Sequence, residues 1–224
     1  MAADRNHRFA VYYKRYESGD AGRSEQASHA HALGRQVLAS ALKAEYNIDF
    51  SEDMITLAAG GKPILKDYPI HFNISHCDGL VACAVSDVPV GIDVEKARKV
   101  TDSLIRKACS PGEQAYVADG FPFLNSIPNA GAEGTAHGEK EDRFLQLWTL
   151  KESYLKMTGE GMAKPLDQVN FSFKENPKEI DCNQKGNFFQ IRLEQEYWLS
   201  VCTIYPYEAS IAIYNIADKC SVRK

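Results

Sequence analysis

The densest chemical signal in the sequence is a pair of acids in the run Val-Gly-Ile-Asp-Val-Glu at residues 90–95. On a β-strand, successive side chains point to opposite faces, so Gly91, Asp93 and Glu95 share one face. The two carboxylates are then roughly 6.5–7 Å apart, and they repel each other without a cation nearby. Mg²⁺ takes oxygen ligands and would remove that repulsion, and the glycine allows a close approach. Because a solvated polar face is the commoner explanation of an isolated pair, the metal-site hypothesis needs further residues.

A third carboxylate and a lysine occur in residues 143–161, where the apolar spacing predicts a helix that ends at Gly159. Glu152 and Lys156 are neighbours one turn apart on that helix. Lys151 falls on its apolar face, an unusual place for an ammonium group unless it meets an anion. The alternative for Glu152 and Lys156 is a surface salt bridge that stabilises the helix by roughly 0.2–0.5 kcal/mol.

Two further segments carry residue types that suit a phosphate site. Lys62 lies in the glycine-flanked turn GGKP at 60–63, and Ser75 and His76 end a predicted strand. A lysine, a small hydroxyl and an imidazole on adjacent loops are groups that bind phosphate. A structural or surface role is the commoner alternative for a single histidine.

The composition limits the class of protein. With 224 residues, 44% hydrophobic and 25% charged, the chain is typical of a globular protein rather than a disordered or collagen-like one. The net charge of −4 gives no general reason to bind nucleic acid or an anionic membrane. Six cysteines without a CxxC pair argue against a zinc ribbon. Because no segment suits a signal peptide or a membrane span, we expect a soluble, cytoplasmic protein.

The hydrophobic pattern predicts an α+β fold in two related halves. Helical patterns cover 25–46, 101–118 and 141–158. Strand patterns cover 9–16, 70–75, 80–86, 89–95, 169–173 and 187–193, followed by a hairpin-like pair at 197–205 and 208–216. Each half thus combines helix with a few antiparallel strands, and we place the boundary between subdomains 1–88 and 89–224. Within the second subdomain, the segment 119–140 differs from the rest, because its four glycines and two prolines predict a long loop.

Read in order, four motifs closely resemble those of the Sfp-type 4′-phosphopantetheinyl transferases: GKP, FNISH, GIDVE and WTLKESYLKMTGEG. Those enzymes move the phosphopantetheine arm of coenzyme A onto a serine of an apo carrier protein and release adenosine 3′,5′-bisphosphate. The resemblance implies a pseudo-dimer of two similar α+β subdomains with the active site in the cleft between them. It further implies a monomer that uses Mg²⁺, with Mn²⁺ as an alternative, and an acyl or peptidyl carrier protein as partner.

The same resemblance assigns the metal and the catalytic groups. Asp93, Glu95 and Glu152 match the family's Mg²⁺ ligands, and Lys156 matches the lysine that meets the pyrophosphate. Lys151 is a second candidate for the leaving phosphate. Glu152, directly or through a metal-bound water, is the candidate acceptor of the serine proton.

Coenzyme A contacts are implied in the first half of the chain. Ser75 and His76 match residues that contact its phosphates, and Lys62 with Pro63 matches the turn beside the adenine nucleotide. His31 is the nearest counterpart of the family's contacts with the 3′-phosphate. The loop at 119–140 corresponds to a stretch that helps to form the carrier-binding surface.

Two other function classes are open at this point. A Mg²⁺-dependent phosphohydrolase acting on a nucleotide pyrophosphate would use the same acids with water as the nucleophile. A non-catalytic module would hold a nucleotide without reaction. Hydrolysis of coenzyme A in the absence of any carrier protein would favour the phosphohydrolase.

Overall fold

The computed structural model of the protein describes residues 9–17, 22–58, 60–119, 138–173, 180–205 and 212–216, without the side chains of Arg23, Met162 and Ala212. The loop predicted at 119–140 lies outside these residues except at its two ends. The role in docking a carrier protein that we expect for this loop therefore stays a prediction.

Two successive units of similar order make up the fold. The first unit contains β1 (Phe9–Arg15), α1 (Arg23–Tyr46), β2 (Ile55–Leu57), β3 (Pro63–Leu65), β4 (His71–Cys77) and β5 (Leu80–Ser86). The second contains β6 (Val90–Lys96), α2 (Asp102–Ala108), α3 (Pro111–Asp119), α4 (Glu139–Thr158), β7 (Phe171–Phe173), β8 (Ile180–Cys182), β9 (Asn187–Leu193) and β10 (Tyr197–Thr203). A last strand, β11 (Ala212–Asn215), follows.

The same connectivity occurs in both units. Each begins with a seven-residue strand and continues with a long helix and a short two-stranded hairpin. Each then ends in a long hairpin whose second strand pairs antiparallel with the opening strand, β5 with β1 and β10 with β6. The α+β prediction is confirmed, and this repeated order is consistent with a pseudo-dimer.

Four layers stack in the order α1, first sheet, second sheet, α4. Strand order is β11-β1-β5-β4 in the first sheet and β6-β10-β9 in the second. One face of each sheet contributes to a shared apolar core between them, built from Val11, Leu80, Ala82, Ala84, Val90, Ile92, Val94, Leu199 and Val201. The opposite faces are covered by α1 and α4. Strand alternation in β6 therefore directs Val90, Ile92 and Val94 to this core and leaves Gly91 and Asp93 on the α4 side.

Two local predictions are wrong. The segments 197–205 and 208–216 do not form a hairpin, because β10 pairs with β6 and β9 while β11 pairs in parallel with β1. The helical pattern at 101–118 is two helices, since α2 ends at Ala108 and α3 begins at Pro111. Proline disfavours helical backbone in the residue before it and favours the first helical position.

Among the described residues, no helix combines the length and the apolar character needed to cross a membrane.

Candidate active site

The backbone of α4 lies directly on β6 at Gly91. A Cβ atom on Gly91 would be 2.0 Å from the carbonyl oxygen of Ser153 and 2.3 Å from the amide nitrogen of Met157. The close approach predicted on this face of the strand is therefore made by the helix. This contact brings the acidic strand and the helix that carries Glu152 and Lys156 together at one place.

Asp93 is the centre of the site. The residue is buried, and its Oδ1 accepts hydrogen bonds from Ser75 Oγ at 2.9 Å and from Lys156 Nζ at 2.6 Å. Lys156 Nζ also lies 2.9 Å from Ser75 Oγ. The second carboxylate oxygen, Oδ2, is buried without a hydrogen-bond partner in the described part of the chain. A buried anionic oxygen without a partner is costly, so this atom marks a place for a cation.

Side chains of β4 bind the free edge of β6 and join the two units. Asn73 Oδ1 accepts from the Ile92 amide at 2.9 Å, and Ser75 Oγ accepts from the Val94 amide at 3.2 Å. Because the single hydroxyl proton of Ser75 is donated to Asp93, the structure places Ser75 in this junction as an orienting group. Asn73 is a junction residue that the sequence analysis missed, although its spacing of two from Ser75 puts both on one face of β4.

The negative charge of Asp93 acts on both Glu95 and Glu152. Burial and then the Asp93 carboxylate raise the pKa of Glu95, although Arg98 lies 3.3 Å away and opposes the rise. Burial and Asp93 likewise raise the pKa of Glu152, against the opposing charge of Lys156. The three acids therefore share one electrostatic environment in which the negative charges are incompletely balanced.

The donor set fits a hard divalent ion in its chemistry. Carboxylate oxygens are the ligands that Mg²⁺ prefers, and Asp93 Oδ2, which has no hydrogen-bond partner in the described segments, could coordinate such an ion. In the described ranges, however, no three side chains of the types His, Cys, Asp and Glu are grouped as a formed metal centre. Lys156 occupies the other oxygen of Asp93 and supplies the positive charge there.

The side chain of Lys62 is hydrogen-bonded to the backbone of β6 and α4. Its Nζ donates to the carbonyl oxygens of Val90 at 3.2 Å, Lys156 at 2.6 Å and Met157 at 3.0 Å. Burial lowers the pKa of Lys62 to about 8. Pro63 is half-buried at the start of β3, opposite Leu57. The place of this turn beside the adenine nucleotide, which the resemblance implies, stays a prediction.

Lys151 is also outside the site. Its side chain is fully buried, and its Nζ donates to Glu113 Oε2 at 2.6 Å and to the Leu166 carbonyl at 3.0 Å. Glu113 additionally accepts from the amides of Phe171 and Ser110. The anion that we expected for Lys151 is thus a carboxylate of the same chain, and the buried Lys151 is not available to the phosphates of coenzyme A.

His76, at the end of β4, lies on the α1 side of the first sheet. Partial desolvation of the ring, then the charges of Lys156 and His31, lowers the pKa of His76. His31 is exposed on α1. The structure therefore places His76 within electrostatic reach of Lys156, His31 and Asp93.

A family model matches the second unit of the fold, from the start of β6 almost to the end of β10. Residues 89–202 match the family model described as the 4′-phosphopantetheinyl transferase superfamily. The chain belongs to this superfamily.

Three relatives give the particular similarities. The chain is 27% identical to the 4′-phosphopantetheinyl transferase of Bacillus subtilis over 187 residues, which cover 81% of this chain and 77% of the relative. It is 30% identical to the 4′-phosphopantetheinyl transferase gsp of Aneurinibacillus migulanus, over 70% of this chain and 60% of that one. It is 33% identical to the 4′-phosphopantetheinyl transferase HetI of Nostoc sp., over 62% of this chain and 55% of the relative.

Proposed function

We propose that this protein transfers the 4′-phosphopantetheine group of coenzyme A to a serine of an apo carrier protein and releases adenosine 3′,5′-bisphosphate. The observation that carries the proposal is the junction of Asp93, Ser75 and Lys156, where the two units meet beside two further acids. Its support is the membership of the superfamily together with relatives that are named for this activity.

Asp93, Glu95 and Glu152 would hold the divalent cation, Mg²⁺ or alternatively Mn²⁺. The buried, unpartnered Oδ2 of Asp93 and the raised pKa values of both glutamates support this assignment. When bound, such an ion supplies charge neutralisation for a pyrophosphate.

The remaining roles follow from charge and position. The serine oxygen forms a bond to phosphorus while the bond from phosphorus to the leaving bisphosphate breaks. Lys156 stabilises the negative charge that develops on the leaving oxygen. Glu152 accepts the serine proton, for which a raised pKa makes it a better base. We assign His31 and His76 to the coenzyme phosphates, because His76 is within electrostatic reach of both Lys156 and His31.

Further parts of the proposal concern the state of the protein. We place the subdomain boundary between Ser86 and Val90, where β5 ends and β6 begins, and we expect a monomer because both units are in one chain. A cytoplasmic location fits the five cysteines of the described segments, all of which are free thiols.

Mass spectrometry of an apo carrier protein incubated with enzyme, coenzyme A and Mg²⁺ tests the function. We expect the carrier to gain the mass of phosphopantetheine, and the gain to disappear with a chelator or in Asp93→Ala. Asp49→Asn, which changes an exposed acid paired with Lys43, is the matched control and should act like wild type. Cleavage of coenzyme A without any carrier would instead support the phosphohydrolase.

A further inference from the structure

We infer that Lys62 is a positioning residue, which holds the C-terminal end of α4 so that Lys156 meets Asp93. The inference deepens the proposed function and rests on it only for its kinetic readout. It concerns the side chain of Lys62 and leaves open whether the turn that contains Lys62 and Pro63 lies beside the adenine nucleotide.

The ammonium of Lys62 is fully used by the protein backbone. An ammonium group has three N–H donors, and the three carbonyl oxygens of Val90, Lys156 and Met157 lie 2.6–3.2 Å from Lys62 Nζ. No donor is left for a phosphate or a base. Two of the three acceptors belong to the last turn of α4, where unpaired carbonyls and the helix dipole favour a cation.

The turn before Lys62 fits against the same helix end. Gly60 and Gly61 have φ values of +89° and +81°, which side-chain-bearing residues rarely adopt. A Cβ on Gly60 would lie 3.3 Å from the carbonyl oxygen of Gly159, the residue that ends α4. The aliphatic stem of Lys62 packs near Gly159 as well. The GGKP turn as a whole therefore covers the helix terminus.

A single residue, Lys156, connects Lys62 to the site. Lys156 offers its carbonyl to Lys62 and its ammonium to Asp93 and Ser75. Because Lys62 holds the carbonyl of Lys156, it fixes the backbone from which the ammonium of Lys156 reaches Asp93 at 2.6 Å. Lys62 comes from the first unit and α4 from the second, so this contact also sets the two units in register.

Nuclear magnetic resonance of the wild-type protein gives a test without any substitution. We expect a coupling across the hydrogen bond between Lys62 Nζ and the carbonyl carbon of Lys156. That coupling should persist when coenzyme A is added. Its loss on adding coenzyme A, or its absence in the free protein, would overturn the inference.

Kinetics of Lys62→Met gives the second test, with the apo carrier that the wild-type enzyme modifies. We expect kcat to fall about tenfold while the dissociation constant for coenzyme A changes less than threefold. Hydrogen exchange of the Gly159 amide, which donates to Leu155 at 2.9 Å, should accelerate at least tenfold, with β5 amides unchanged. Lys66→Met, a change of an exposed lysine at the end of the same hairpin, is the control and should leave each value unchanged.

A loss of coenzyme A affinity in place of a loss of kcat would refute the positioning role of Lys62. If Lys62→Met weakens coenzyme A binding tenfold while kcat is retained, Lys62 contacts the nucleotide. If the variant does not fold, the wild-type resonance measurement decides by itself. Failure of the proposed function is distinguishable, because it would appear as an unmodified carrier with the wild-type enzyme.

Discussion

Unequal environments of the three acids determine how each side chain behaves. One oxygen of Asp93 accepts hydrogen bonds from a lysine and a serine, whereas Glu95 forms a salt bridge with Arg98 at 3.3 Å. The pKa of Glu152 is raised by burial and by the Asp93 charge. The pKa of Glu95 is raised by the same two causes, and Arg98 opposes that rise, whereas at Glu152 the opposing charge is Lys156.

Neutralising Glu152 should stabilise the metal-free protein. A carboxyl whose folded pKa is raised binds its proton more tightly in the folded state, so stability falls as pH rises from its ordinary value of 4.5 through the folded pKa. Glu152→Gln removes this loss, and we expect its melting temperature at pH 7 to exceed that of wild type by about 1–3 °C. Calorimetry from pH 4 to 8 with a chelator measures both effects.

The control for Glu152→Gln is Glu17→Gln, which removes an exposed acid outside the helices and strands. It should leave the pH profile of stability unchanged. Adding Mg²⁺ should raise the melting temperature of wild type and of the control more than that of Glu152→Gln. An unaltered or lower melting temperature for Glu152→Gln would mean that repulsion among the acids is not the dominant effect.

Single-residue patterns explain how far the sequence could predict this site. Alternation along β6 was enough to put Asp93 on the face that meets α4, and helical spacing was enough to pair Glu152 with Lys156. The partners of Lys62 are backbone carbonyls 28, 94 and 95 positions away. Backbone acceptors have no residue signature, so no pattern could indicate them. Glu113 is 38 positions from Lys151 and was equally out of reach.

Two elements, β6 and α4, depend on one another for their spacing. We expect Gly91→Ala to destabilise the protein by more than about 2 kcal/mol, since backbone atoms of α4 stand where the Cβ would be and must move. Gly112→Ala is the matched control, because nothing lies within 4 Å of its Cβ position. Urea denaturation of both variants measures the difference. Equal stability would mean that α4 is not held against β6 as described.

A buried ion pair ties α3 to α4. Removing one partner leaves an uncompensated charge in the core, so Lys151→Met should destabilise the protein by about 3–5 kcal/mol. The double variant Lys151→Met with Glu113→Gln should recover part of that loss, since no full charge then stays buried. Lys140→Met breaks an exposed pair with Asp102 and should have little effect. Thermal denaturation of the wild type, Lys151→Met, Glu113→Gln and the double variant measures the coupling, and simple additivity of the two single changes would contradict the pairing.

The sequence predicted the bounds of several strands, but it did not predict which strands pair with each other. The bounds of β5 and β9 agree with the predicted ranges 80–86 and 187–193, because short apolar runs between turn residues identify strands directly. Strand partners were less accessible. The C-terminal strand β11 joins the first sheet beside β1, and that return across the molecule depends on the shared core rather than on any local signal.

The whole molecule should unfold as one unit, because the two sheets share a core. Val11, Leu80 and Ala82 of the first sheet are fully buried against side chains of the second. Asn73 and Ser75 satisfy backbone amides across the junction, and β11 returns from the second unit to the first sheet. Each unit alone would expose one face of its sheet to water, which costs about 25 cal/mol per Å² of apolar surface.

We therefore expect residues 1–88, expressed alone, to show no cooperative thermal transition by circular dichroism. In the full chain, both tryptophans lie in the second unit, at Trp148 and Trp198, so their fluorescence reports that unit only. Hydrogen exchange of α1 amides during urea denaturation reports the first unit. The two midpoints should coincide, because the shared core can form only when both sheets are folded. Midpoints that differ clearly, or a folded fragment 1–88, would show that the units are stable independently and that their junction is a weak contact between autonomous domains.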